Sequence, residues 1–128
     1  MKLLLDTHLL IWTAIQPARL PKAAVAIMGD PGNDLVFSAA SIWEVAIKRQ
    51  LRRPGFNVDP VLLRRGLLDT AYTELAVTGV HGLGMASLFL LHRDPFDRIL
   101  IAQAAAEGML LLTSDAMIAR YPGPIRRV

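Results

Sequence analysis

His92-Arg93-Asp94-Pro95-Phe96-Asp97-Arg98-Ile99-Leu100-Ile101-Ala102-Gln103-Ala104, near the end of a 128-residue chain, reads as a helix that places acid at its own start. Asp94 has the side chain of an N-cap, Pro95 sits where its missing N–H costs nothing, and Asp97 falls in the first turn. Gly108 predicts the end of the helix. A carboxylate at the cap and another one turn in both answer free N–H groups and the positive end of the helix dipole. Whether they do more depends on the acids elsewhere in the chain.

Working outward, Met109-Leu110-Leu111-Leu112-Thr113 is an apolar run of strand length, closed by Ser114 and Asp115. At the other end of the chain Lys2 to Leu5 is a second such run, closed by Asp6, and it predicts a buried parallel strand with an acid at its C-terminal end. A helix carrying Leu9, Leu10 and Trp12 follows and is limited by Pro17. Pro21 to Met28 has helical spacing, Gly29 to Asn33 is turn-rich, and Leu35-Val36-Phe37 is the next strand candidate.

The segment Ser38 to Lys48 predicts a helix with two alternative starts. Ser41 and Glu44 have the spacing of a capping box; alternatively Ser38 is the cap, which places Glu44 further along, on the face that looks along the strand ends. Arg53-Pro54-Gly55 breaks the pattern, Pro60 to Leu68 is helical again, and Thr73 to Val77 reads as a short strand. Ala116, Met117 and Ile118 start a short last helix, and Pro122-Gly123-Pro124 leads into the terminal Ile125 to Val128. Strand and helix thus alternate, the pattern of an α/β chain with a mostly parallel sheet and helices on both faces, and the length fits one domain over residues 1–128.

Composition narrows the function classes. The chain has no cysteine, which removes disulfides and thiolate metal sites and fits a reducing cytoplasm. No apolar run reaches the roughly 18 residues of a membrane span, and Asp6 and His8 interrupt the opening run before it attains signal-peptide length. Hydrophobic residues make up 53% and the mean hydropathy is +0.39, so part of the surface is expected to meet a partner. Basic residues outnumber acids 14 to 11, and most of them are arginine, which suits bidentate phosphate contact. Lys48 to Arg53 and Arg64-Arg65 are candidates for a phosphate-facing rim, or else solvated helix ends. Gly82-Leu83-Gly84-Met85-Ala86-Ser87 lacks the third glycine of a dinucleotide fingerprint, and no acid follows it in a strand-end context.

Asp6 and Asp115 end predicted strands, and Glu44 and Asp97 lie in or near the first turns of predicted helices. In an open parallel sheet those ends share one edge, where ligands bind. Two carboxylates about 4 Å apart repel by roughly 4 kcal/mol at an effective dielectric of 20, so a cluster of four implies a cation or raised pKa values. With oxygen ligands and no thiolate, that cation is Mg²⁺ or Mn²⁺ rather than Zn²⁺, an ion suited to phosphodiester hydrolysis.

Leu3-Leu4-Leu5-Asp6-Thr7-His8, Ser38-x-x-Ser41-x-x-Glu44, the run His92 to Ala104 and Thr113-Ser114-Asp115 together resemble the PIN-domain family, and within it the VapC-type toxin ribonucleases of type II toxin–antitoxin systems. The resemblance implies a three-layer α/β/α sandwich and a Mg²⁺- or Mn²⁺-dependent endoribonuclease. It implies a VapB-like antitoxin and a second copy of the chain as partners, besides the RNA substrate. Asp6, Glu44, Asp97 and Asp115 would be the metal-binding, catalytic acids, with Thr7, Ser38 and Ser114 around them; Asp94 stays a helix cap. Some relatives carry a further acid after the fourth, where this chain has Ala116 and Met117, which implies one firmly held ion. His8 and His92 are expected to be structural.

Two other readings compete. A phosphatase of the haloacid dehalogenase kind also begins with a strand ending in Asp, but it needs a second Asp where this chain has His8, and no G-x-S-x-G elbow supplies a serine nucleophile. The fold could also serve as a catalytically silent scaffold that binds nucleic acid or protein.

Overall fold

The central strand is β1 (Lys2–Leu5), and its three consecutive leucines explain the layering. Side chains alternate across a strand, so Leu3 and Leu5 enter one apolar cluster while Leu4 enters another on the opposite face; all three are essentially inaccessible. A strand apolar on both faces has to be covered on both, and the computed structural model, which describes residues 1–128, does so with helices.

The elements follow as α1 (Thr7–Ile15), α2 (Lys22–Met28), β2 (Asp34–Ser38), α3 (Ala39–Gln50), α4 (Pro60–Asp69), β3 (Thr73–Leu75), α5 (Gly79–Met85), α6 (Pro95–Glu107), β4 (Leu110–Thr113) and β5 (Ile125–Arg127), with single 3₁₀ turns at Pro17–Arg19 and Ile118–Arg120. All strands are parallel, in the order β3-β2-β1-β4-β5. The chain winds outward from β1 to β3 and then returns to the other side of β1 to place β4 and β5. With right-handed crossovers, that reversal puts the two sets of helices on opposite faces.

Leu9 and Leu10 of α1, Ala24 of α2, Val45 of α3 and Leu63 and Leu67 of α4 build the cluster over Leu3 and Leu5. Leu100, Ile101 and Ala104 of α6, with Met109, Ile118 and Tyr121, build the one over Leu4. The α/β/α sandwich expected from the alternation of elements is therefore present.

The structure decides one open reading and corrects three others. Helix α3 starts from Ser38, whose Oγ accepts the Ala40 N–H at 3.0 Å, and not from a Ser41–Glu44 capping box. The last helix reduces to the 3₁₀ turn Ile118–Arg120, because Pro122 and Pro124 follow within one turn. Helix α5 lies where the sequence suggested only a discounted glycine motif. Its three glycines weaken helix propensity, and tertiary contacts hold it instead. The His81 ring is fully buried, takes the Thr78 N–H on Nδ1 at 3.0 Å and donates from Nε2 to Glu107 of α6 at 2.9 Å. Residues Ile125–Arg127, left unassigned by the pattern, form the edge strand β5. No helix is long and apolar enough to cross a membrane.

Candidate active site

The strand order reverses between β1 and β4, and the segments leaving the C-terminal ends of these neighbours carry Asp6 and Asp115. Helices α1 and α3 begin at that same edge, and α6, running back towards β4, has its N-terminus there too. Asp6, Glu44, Asp97 and Asp115 are brought to one edge of the sheet in this way, by topology alone.

Asp6 is 2% exposed and serves as the N-cap of α1, with Oδ1 accepting the Leu9 N–H at 2.9 Å. Its Oδ2 accepts the hydroxyl of Thr113, and Thr113 Oγ1 in turn accepts the Asp115 N–H at 3.0 Å. One buried threonine thus couples the two acids that end β1 and β4. Burial pushes the Asp6 carboxyl above its ordinary pKa, against the opposing pull of the Thr113 hydroxyl, the Leu9 and Ser114 N–H groups and His8. Asp115 caps the 3₁₀ turn, its Oδ1 taking the Met117 N–H at 2.7 Å and the Ile118 N–H at 3.3 Å.

Glu44 is 3% exposed and held at both oxygens. Oε1 accepts from Thr7 Oγ1 at 2.7 Å, and Oε2 pairs with Lys48, four residues on along α3. Thr7 Oγ1 also lies 3.0 Å from Ser41 Oγ. Its single proton goes to the charged acceptor, so Ser41 donates to Thr7 and the chain Ser41–Thr7–Glu44 is complete.

Asp97, one turn into α6, receives His92 Nε2 on Oδ2 at 3.0 Å. Burial raises its carboxyl to about 6; His92 opposes that rise, and the charges of Asp94 and Glu44 add to it. The influence of Glu44 places the carboxylates on α3 and α6 within electrostatic reach of one another. Asp94 accepts the Phe96 and Asp97 N–H groups at 2.9 and 3.2 Å, and is the cap expected.

Of the three polar residues expected around the acids, Thr7 touches Glu44, Ser38 caps α3, and Ser114 reaches Asp6 only through its backbone. Sequence reasoning missed Thr113, Ser41, Lys48 and Tyr121, and treated His92 as structural. Thr113 and Ser41 stood inside the quoted motifs; no pattern signalled Tyr121, which lies 29 positions beyond His92 in the chain. The acids do not close into a cage: no group of three or more His, Asp or Glu side chains converges as preformed metal ligands. The donor set is nonetheless all oxygen, and the buried Asp6 and half-buried Asp97 are carboxylates with raised pKa values and no Lys or Arg partner, so an added cation of hard character fits their chemistry. The largest concavity, about 570 Å³ between α1 and α4, holds none of these acids.

A parallel sheet whose strand order reverses beside an edge lined with carboxylates is the plan of an acid-edged α/β protein. The chain belongs to the PIN domain family, whose profile matches residues 3–124. It is 27% identical over 124 residues to "Ribonuclease VapC22" of Mycobacterium tuberculosis (strain ATCC 25618 / H37Rv), covering 95% of each chain. Its fold resembles that in the crystal structure of VapBC2 from Rickettsia felis bound to a DNA fragment from their promoter, with a TM-score of 0.72 and 13% identity over 99% of this chain and 98% of that one. The structure of VapBC-1 from nontypeable Haemophilus influenzae is similar to it with a TM-score of 0.67 and 18% identity, again over 99% and 98% of the two chains.

Proposed function

We propose that this chain is a metal-dependent endoribonuclease, the toxin of a toxin–antitoxin pair, and that Asp6, Glu44, Asp97 and Asp115 are its catalytic acids. The observation that carries this reading is that the topology sets these four acids along one edge of the sheet, two of them with raised pKa values. Membership of the PIN domain family, the ribonuclease relative and the VapBC structural neighbours agree with it. A Mg²⁺ or Mn²⁺ ion held by Asp6, Glu44, Asp97 and Asp115 would supply Lewis acidity towards a phosphodiester and offset charge on its oxygens. The chain's own residues do the positioning: Thr113 fixes Asp6 relative to Asp115, Thr7 and Lys48 fix Glu44, and His92 fixes Asp97.

The test is cleavage of a panel of transfer, ribosomal and messenger RNA in Mg²⁺ or Mn²⁺. Cleavage that chelation abolishes and the metal restores is the expected result. Stoichiometric metal binding without cleavage of any RNA would favour the silent scaffold.

The VapBC neighbours also support a VapB-like antitoxin as partner. A second copy of the chain is proposed for the apolar face around α5, where Val80, Leu83, Phe89 and Leu90 are each at least 67% exposed and Trp43 meets Phe96 edge to face at 5.3 Å. Light scattering at micromolar concentration is expected to give the mass of a dimer, and Leu83→Glu that of a monomer. A monomeric wild-type chain would overturn this.

A further inference from the structure

We propose that Tyr121 and His92 are positioning residues that aim Asp97 into the acid cluster, with the Tyr121 hydroxyl setting the tautomer of His92. The inference rests on the reading of Asp97 as a site acid. Tyr121 is 3% exposed and belongs to the segment after β4, whereas His92 and Asp97 flank the start of α6.

The Tyr121 hydroxyl is a fully occupied hub. It accepts the His92 N–H at 3.2 Å and Arg98 Nη1 at 3.2 Å, which fills both lone pairs. Its one proton has two acceptors within reach, His92 Nδ1 at 2.7 Å and His92 O at 3.5 Å, and goes to the nearer. His92 Nδ1 is therefore an acceptor, and the ring proton stands on Nε2, which donates to Asp97 Oδ2 at 3.0 Å. Asp97 Oδ1 has no hydrogen-bond partner in the protein, so the relay pins one oxygen and leaves the other to face a ligand.

Arg98 shows that the hub is built for position and not for charge. Although it neighbours Asp97, its guanidinium pairs with no carboxylate; Nη1 bonds Phe89 O at 2.9 Å as well as the tyrosine, and Nη2 bonds Met85 O at 3.3 Å. These bonds tie the backbone leading into His92 to α6. Tyr121, Arg98 and the His92 main chain thus fix where the imidazole sits, and the imidazole fixes where the carboxylate points. Hydrogen-bonding partners behind a ligating carboxylate change metal affinity by about 10–100-fold.

The experiment uses the full chain and two readouts. In ¹⁵N NMR of the metal-free protein His92 is expected as the Nε2–H tautomer, and Tyr121→Phe, which keeps the ring and removes the hydroxyl, is expected to mix the tautomers. In calorimetric titration with Mn²⁺ alone, Tyr121→Phe should weaken binding about tenfold and His92→Ala at least as much, with His92→Gln, which retains a donor, partly restoring it. An Nδ1–H tautomer in the wild type overturns the relay. So does a Tyr121→Phe chain that loses the tautomer and binds Mn²⁺ as the wild type does. If the wild type takes up no Mn²⁺, the metal reading fails separately. The relay is then judged on the Asp97 carboxyl ¹³C resonance, which must move in Tyr121→Phe and overturns the proposal if it does not.

Discussion

Asp97→Asn is expected to abolish RNA cleavage, by about a hundredfold or more, while making the metal-free protein more stable at neutral pH. Burial and the charges of Asp94 and Glu44 raise the Asp97 carboxyl from 3.8 to about 6, with His92 pulling the other way. The folded chain thus holds this proton more tightly than the unfolded chain does. The stability linked to it is fully present below about pH 4 and is lost as pH rises through about 6. At pH 7 the ionised carboxylate costs on the order of 1–2 kcal/mol, discounted for its partial exposure, and asparagine removes that cost while still accepting from His92 Nε2. Thermal melts of the chelated wild type are expected to shift upward between pH 7 and pH 4.5 relative to those of Asp97→Asn. Parallel pH profiles for the two proteins, or undiminished cleavage by the variant, would contradict the assignment.

Thr113→Val should damage stability and activity together. Valine keeps the shape of a residue that is wholly buried but removes the donor to Asp6 Oδ2 and the acceptor for the Asp115 N–H. Loss of a donor to a buried carboxylate costs about 1–3 kcal/mol. The sign of its pH dependence follows from Asp6. Burial already raises that carboxyl and the Thr113 hydroxyl opposes the rise, so the variant's Asp6 has a still higher pKa. The destabilisation is therefore greatest at neutral and alkaline pH and shrinks in acid, where Asp6 is protonated in both proteins. Denaturant unfolding at pH 5 and pH 8 should show the larger deficit at pH 8, and the rate of RNA cleavage should fall about tenfold or more. Equal deficits at the two pH values would mean that packing, and not the hydrogen bond to Asp6, is what the substitution disturbs.

The parts of this molecule that were legible in the sequence are those where local chemistry and long-range packing demand the same residue. Leu3 to Leu5 and Leu110 to Leu112 read as buried strands because a strand covered on both faces needs apolar side chains at every position. Asp94-Pro95 and Gly108 read as helix ends because caps are local. Asp6, Asp97 and Asp115 stood out because each lies at the end or start of an element, and the alternation of strands and helices placed those ends together; Glu44, further along α3, stood out by its spacing from Ser38 and Ser41.

What lay hidden depends on contacts between distant segments. Helix α5 is poor in helix-forming residues and relies on the His81–Glu107 bond to α6, a partner 26 positions away. Tyr121 meets His92 across 29 positions, and nothing local to either reports the pairing. The start of α3 was ambiguous because Ser38 and Ser41 both have capping chemistry, and only the end of β2 at Ser38 decides between them. Lys48 could be seen as one member of a basic run but not as the ion-pair partner of Glu44, since that depends on which face of α3 is buried.

The bond from Thr113 to Asp6 joins residues 107 positions apart, and β1 lies hydrogen-bonded between β2 and a β4 that follows every helix of the fold. Such a site cannot be assembled piecemeal: closing the loop between Asp6 and Asp115 is an entropic cost met only once β4 has been made. During translation β1 emerges before β4 and waits, paired on one side only, while its second neighbour has not yet been made. A nascent or prematurely terminated chain without β4 consequently carries Asp6, Glu44 and even Asp97, but lacks Asp115 and the Thr113 hydroxyl that fixes Asp6. The order of strands in the sheet is thus also a timing device, which keeps the acid edge incomplete until β4 has been made.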